Sequence, residues 1–136
     1  MAKVLINLPS LVVPSGYSHA IVTKGGRLVF LAGQTGMDAT GRIASPGDLV
    51  AQFHQALANI QTILAEAGGT MTDIVQMTFF VTDKAAYRAS LTPIGEVYRA
   101  FFGRYYPAIT LVEVNSLFDD EALIEIAAVA VIAEGE

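Results

Sequence analysis

Glu125 is the only charged residue between Ala122 and Ile132, a run that is otherwise apolar. A carboxylate in the middle of such a strand points into a cleft, pairs with another group or sits in a polar seam, because burying it unpaired is too costly. It is therefore a candidate site residue and equally a candidate structural hydrogen bonder. The other polar or backbone-accessible points that could share a cleft with it are Tyr17, the Gly33-Gln34 corner and the backbone of Ile109-Thr110-Leu111. Gathered at converging strand ends, these would make a small-molecule site. No nucleotide-binding glycine motif, nucleophile elbow or metalloprotease helix is present.

Composition narrows the chemistry further. With 136 residues, 53% hydrophobic and 15% charged, the chain makes one domain (residues 1–136, with an N-terminal arm over 1–16) and has more apolar surface than a small monomer hides. Self-association is expected. The net charge is −5 and the eight basic residues are scattered from Lys3 to Arg104, which argues against a nucleic-acid partner, since that binding needs clustered cations. The absence of cysteine excludes disulfides, thiol catalysis and cysteine metal sites. His19 and His54 are not spaced as a metal pair, so no metal site is expected. The apolar start is broken by Pro9 and Pro14, lacks a signal-peptide core, and no run reaches membrane-spanning length. No membrane association and a cytoplasmic location are expected.

The elements that must position these residues follow from periodicity. Tyr17 to Val22 and Arg27 to Ala32 read as two strands of a hairpin turning at Lys24-Gly25-Gly26. At Gly33-Gln34-Thr35-Gly36 glycine lets another backbone or a ligand come close, or simply makes a tight turn or bulge. Ser45-Pro46-Gly47-Asp48 reads as a helix start, with serine as cap and proline in the first turn. Leu49, Phe53, Leu57, Ile60 and Leu64 then form an apolar stripe, Gln52, Gln55 and Asn59 fall on the polar face, and Gly68-Gly69 stops the helix. His54, beside the stripe, reads as a packing or surface residue.

Ile74 to Thr82 is a third strand, with Val75, Met77, Phe79 and Val81 on one face and Ile74, Gln76, Thr78 and Phe80 on the other. A helical segment from Asp83 to Ser90 is restarted at Thr92-Pro93 and ends at Gly103. Pro107 to Ile132 supplies two more strands joined by the acidic turn at Phe118-Asp119-Asp120-Glu121, the second covered on both faces. The result is an α+β fold with two helices on one face of a mixed sheet, its other face needing cover.

Taken in order, Tyr17-Ser18-His19-Ala20, Leu31-Ala32-Gly33-Gln34, the Gln55 to Ile60 helix, Val81-Thr82-Asp83, Val97-Tyr98 to Phe101-Phe102, Pro107-Ala108, Val112-Glu113-Val114 and Ile124-Glu125-Ile126 resemble the RidA (YjgF) family of enamine/imine deaminases. The match runs from about Tyr17 to Ile132. The resemblance implies a chorismate-mutase-like α+β fold and a homotrimer with sites in clefts between subunits. It also implies cofactor-free hydrolysis of a 2-imino or enamino acid to a carbonyl compound and ammonia. In those terms Glu125 matches the glutamate that handles water, Tyr17 the tyrosine lining the cleft, and Gly33 a backbone contact.

The family's carboxylate-binding arginine would follow Pro107-Ala108, where this chain has Ile109. Arginine supplies a bidentate pair worth roughly 1.5–3 kcal/mol per charged hydrogen bond, and isoleucine supplies an apolar wall. Ala127 stands where the family has an acid, Ala32 where serine is frequent, and Gly95 where asparagine is frequent. The implied cleft is remodelled, lined by Tyr17, Gly33, Ile109, Thr110, Leu111 and Glu125. One reading is a deaminase acting on a different, larger or more apolar enamine, with Arg99 or Arg104 supplying a cation from another position. The other is a small-molecule-binding trimer without catalysis. The structural reading of Arg104, just past Gly103, is an exposed residue favourable to the helix dipole. The family's ribonuclease claim sits poorly with the acidic charge.

Overall fold

Period-two alternation in the strands and a 3.6-residue period in the helices give each element one apolar face, and burial of those faces assembles the chain. The computed structural model describes residues 2–134. Six strands, β1 (Ala2–Ile6), β2 (Ala20–Lys24), β3 (Arg27–Gln34), β4 (Ile74–Val81), β5 (Ala108–Glu113) and β6 (Ile124–Ile132), are combined with helices α1 (Leu49–Glu66), α2 (Lys84–Ala89) and α3 (Leu91–Phe102). The main sheet has the order β3-β6-β4-β5. In it β5 runs parallel to β4, while β6 is antiparallel to both β3 and β4. The acidic turn therefore does not close a hairpin: it carries the chain from the edge strand β5 past β4 to β6.

Register assigns the two faces of this sheet. Phe79 is aligned with Ile126 and Leu111, so these point to the helices. Beneath them Phe53, Leu57, Ile60 and Leu64 of α1 are fully buried, each contributing about 1.5–3 kcal/mol relative to exposure. One residue along, Phe80 is aligned with Glu125 and Val112, so these point to the face that no helix covers. Ile74 lies on the buried side with Met77 and Phe79, contrary to strict alternation, because the β4–β6 register shifts between Ile74 and Gln76.

Several local expectations are corrected. Gly25 and Gly26 both have positive φ and do turn the chain, yet β2 pairs with β1, a strand formed within the expected N-terminal arm, and not with β3. Lys3 holds β1 down by donating from Nζ to the Thr72 carbonyl and lying 4.1 Å over the Tyr105 ring. Helix α1 begins after Asp48, whose side chain accepts from the Ala51 N–H at 3.0 Å. Ser45 lies outside it because the intervening Gly47 sits at φ 78. Helix α3 likewise starts one residue before Thr92, with Ser90 as its cap residue.

Gln52, expected on the polar face of α1, is fully buried. Its amide donates to the Ser45 and Glu121 carbonyls and accepts from the Leu123 N–H at 2.8 Å, tying two loops to the helix. A Cβ at Gly36 would meet the Gln52 Cα at 2.8 Å, so glycine there permits the close approach of strand end and helix. His54 is exposed and packs edge-on against Phe101 at 5.2 Å.

Candidate functional site

The residues singled out by type and spacing fall into two groups on opposite faces of the sheet. Glu125 and Gly33 meet on the open face. The Glu125 side chain lies over the Gly33 backbone, where a Cβ would collide with the carboxylate and come within 2.8 Å of Cδ. Any side chain at 33 would drive the carboxylate out of place. Glu125 is half-buried, and its carboxylate takes no hydrogen bond from any described residue. Thr110 is exposed on the same face, aligned with Thr78 and, through it, with Ala127.

Tyr17, Ile109 and Leu111 gather instead on the helix side, around a cavity of about 510 Å³ between β5 and the α2–α3 segment. Tyr17 is carried there by Ser18, which is buried, donates from Oγ to the Tyr106 carbonyl at 2.6 Å, and donates its N–H to the Pro107 carbonyl at 3.0 Å. His19 secures the preceding loop. Its Nδ1 accepts from the Leu8 N–H at 3.1 Å, which leaves Nε2 protonated to donate to the Val12 carbonyl at 2.9 Å.

The cavity wall is aromatic. Tyr98 stacks on Tyr106 at 5.0 Å and on Phe102 at 4.4 Å, and its hydroxyl donates to the Tyr105 carbonyl at 2.6 Å. Burial pushes the Tyr87 phenol up to about 12. It raises Tyr98 as well, reinforced by Tyr106 and Tyr105. Both phenols are therefore neutral at physiological pH. Arg99 is the only charged side chain among the described residues that line this cavity, whereas Arg104 does not line it.

Sequence reasoning named Tyr17, Ile109 and Leu111 but did not anticipate Phe53, Tyr87 and Tyr106 as their companions. Helical spacing marked Phe53 as apolar. That it borders a void, and not solid core, depends on how far α3 stands from β5. Among the described residues no cluster of His, Asp or Glu is placed to hold a metal ion, and no helix is long and apolar enough to cross a membrane.

A family model described as endoribonuclease L-PSP matches residues 10–132. A RutC family protein of Pyrococcus abyssi is 39% identical over 132 residues, covering 96% of this chain and 98% of that protein. A protein of Acinetobacter baylyi named 3-aminoacrylate deaminase RutC is 35% identical over 130 residues, covering 96% and 98%. The crystal structure of YyfB, a protein of the conserved Rid family from Yersinia pestis, superimposes with a TM-score of 0.87 at 33% identity, covering 97% of this chain and 100% of that one.

Proposed function

This chain belongs to the RidA (YjgF) family, and from that premise we propose that it is an enamine or imine deaminase whose substrate preference is shifted by Ile109. The observation that carries this reading is Glu125. Its carboxylate has no donor among the described residues, and it lies over a glycine that leaves it room, so a purely structural role has no partner to explain it.

In the proposed reaction an enamine first takes a proton at its β-carbon and gives one up from nitrogen, tautomerising to the imine. Glu125 accepts a proton from water as the water oxygen attacks the imine carbon, and returns that proton to nitrogen. The carbinolamine then collapses: its hydroxyl proton passes to the departing nitrogen, the C–N bond breaks, and a carbonyl compound and ammonia leave. Tyr17, Ile109 and Leu111 would shape the substrate wall. Because β5 is an edge strand, outward-facing backbone groups from Ile109 through Thr110 to Leu111 are free to orient the substrate.

The sheet stands between Glu125 and the cavity within one chain, so a single site holding both must be completed across a subunit boundary. We therefore place the site in the clefts of a homotrimer. Support comes from the uncovered face, where Leu28 and Phe30 are 63% and 75% exposed. A monomeric mass in light scattering would remove this site. The acidic charge and scattered cations speak against the ribonuclease activity that the family description names. The second reading, a binder without turnover, draws its support from the apolar wall at Ile109.

The test is ammonia and carbonyl release from freshly generated 2-aminoacrylate, 3-aminoacrylate and 2-aminomuconate by the parent, Ile109→Arg and Glu125→Gln. Turnover by the parent that Glu125→Gln abolishes is the expected result. Silence in the parent with activity gained by Ile109→Arg would replace it with the binding reading for the natural ligand.

A further inference from the structure

We propose that Arg99 is the anion-binding group of the helix-side cavity, and that the ligand it selects is an organic acid whose carboxylate is joined to a bulky planar body, such as an aryl-bearing 2-imino acid or its keto product. This rests on the deaminase reading and specifies its substrate class. Three observations support it.

The first is charge. One cation faces a cavity whose other described lining residues carry no charged side chain. The guanidinium meets no carboxylate among the described residues, so its pairing capacity is unspent. Of the four phenols that line the cavity, Tyr98 has its hydroxyl committed to the Tyr105 carbonyl, and the others are neutral donors that add hydrogen bonds to a ligand oxygen but no opposite charge.

The second is access. Gly95 lies inside α3, where glycine costs about 1 kcal/mol relative to alanine, and one turn before Arg99 on the same helix face. A Cβ there would stand 3.1 Å from Arg99 Nη1. The guanidinium thus lies back against bare helix at the cavity rim, in a place that a side chain at 95 would contest.

The third is size and polarity. About 510 Å³ is within the roughly 300–1,000 Å³ range of pockets that take a drug-sized ligand, and a three-carbon imino acid would leave most of it empty. Phe53, Phe79, Tyr106 and Ile109 offer flat or apolar contact for a body extending inward from a carboxylate held at Arg99.

The experiment is calorimetric titration with phenylpyruvate, with pyruvate (carboxylate without the body) and with phenylacetone (body without the carboxylate). Phenylpyruvate should bind the parent at least about tenfold more tightly than either fragment. Arg99→Met should weaken phenylpyruvate about 10–100-fold while leaving phenylacetone unchanged. Gly95→Ala, whose Cβ would press on the guanidinium at 3.1 Å without removing it, should weaken phenylpyruvate in the same direction but by less than Arg99→Met. Arg104→Met removes the same charge outside the cavity and should change nothing. No binding of phenylpyruvate to the parent, parent-like binding by Arg99→Met, or an equal loss in Arg104→Met would each overturn the proposal. Because the readout is equilibrium binding, it separates from turnover. Arg99-dependent binding with no hydrolysis of any imine would sink the deaminase reading alone. Glu125-dependent hydrolysis with Arg99→Met binding as the parent would sink this one alone.

Discussion

On the helix side of the main sheet Phe79, Ile126 and Ala128 are buried, and the polar groups that enter are met: Gln52 by two carbonyls and an N–H, Tyr98 by a carbonyl. On the other side Phe30 and Leu28 stand in solvent and the Glu125 carboxylate has no donor among the described residues. The same strands build both faces, so the difference lies in what each face is made to meet. The covered face is complete apart from one cavity. The open face has apolar side chains without a cover and a carboxylate without a partner, as expected of a surface that association finishes. The proton transfer proposed for Glu125 and the folding stability of the chain should therefore be separable by face.

Glu125→Gln should separate them most sharply. Turnover of an accepted imine is expected to fall about 10²–10⁴-fold while the urea midpoint stays within error of the parent. Equal loss of stability would mean that Glu125 is structural and that the two faces do not divide the labour. The reverse pattern is expected on the covered face for Gln52→Ala, which strands the Leu123 N–H and loosens the loops on either side of α1. It should cost about 2–4 kcal/mol in urea denaturation, and an unchanged midpoint would show that water replaces the side chain. Asp48→Ala removes the α1 cap and should cost about 1 kcal/mol, again with the chemistry at Glu125 intact.

The smallest effect at neutral pH is that of the buried phenols. Tyr87 and Tyr105 are both pushed up to about 12 by burial, with Asp73 adding to Tyr105, against about 10 in an unfolded chain. Their contribution is fully present below about pH 10 and is lost as pH rises through 12, because the unfolded chain releases the protons first. Thermal melts from pH 8 to 11.5 should show stability flat and then falling. A melt temperature still flat at pH 11.5 would place these phenols in water and open the covered face to question.

Much of this was legible in the residues. The apolar stripe from Leu49 to Leu64 dictates a helix with one buried face, the alternation in Ile74 to Val81 dictates a strand, and a lone acid between Ile124 and Ile126 marks Glu125, since each of these signals lies within a few neighbours along the chain. The glycine at 33 was legible as a place of close approach, though not that a carboxylate fills it. Partner choice was not legible. That β2 pairs with β1, that β4 separates β5 from β6, and that Gln52 is buried all depend on contacts far apart in sequence, which no local period encodes. The division of Tyr17, Ile109 and Leu111 from Gly33 and Glu125 is of the same kind. Residue types and spacing determined which groups could act, and only sheet order and register, set by long-range packing, decided which of them face one another.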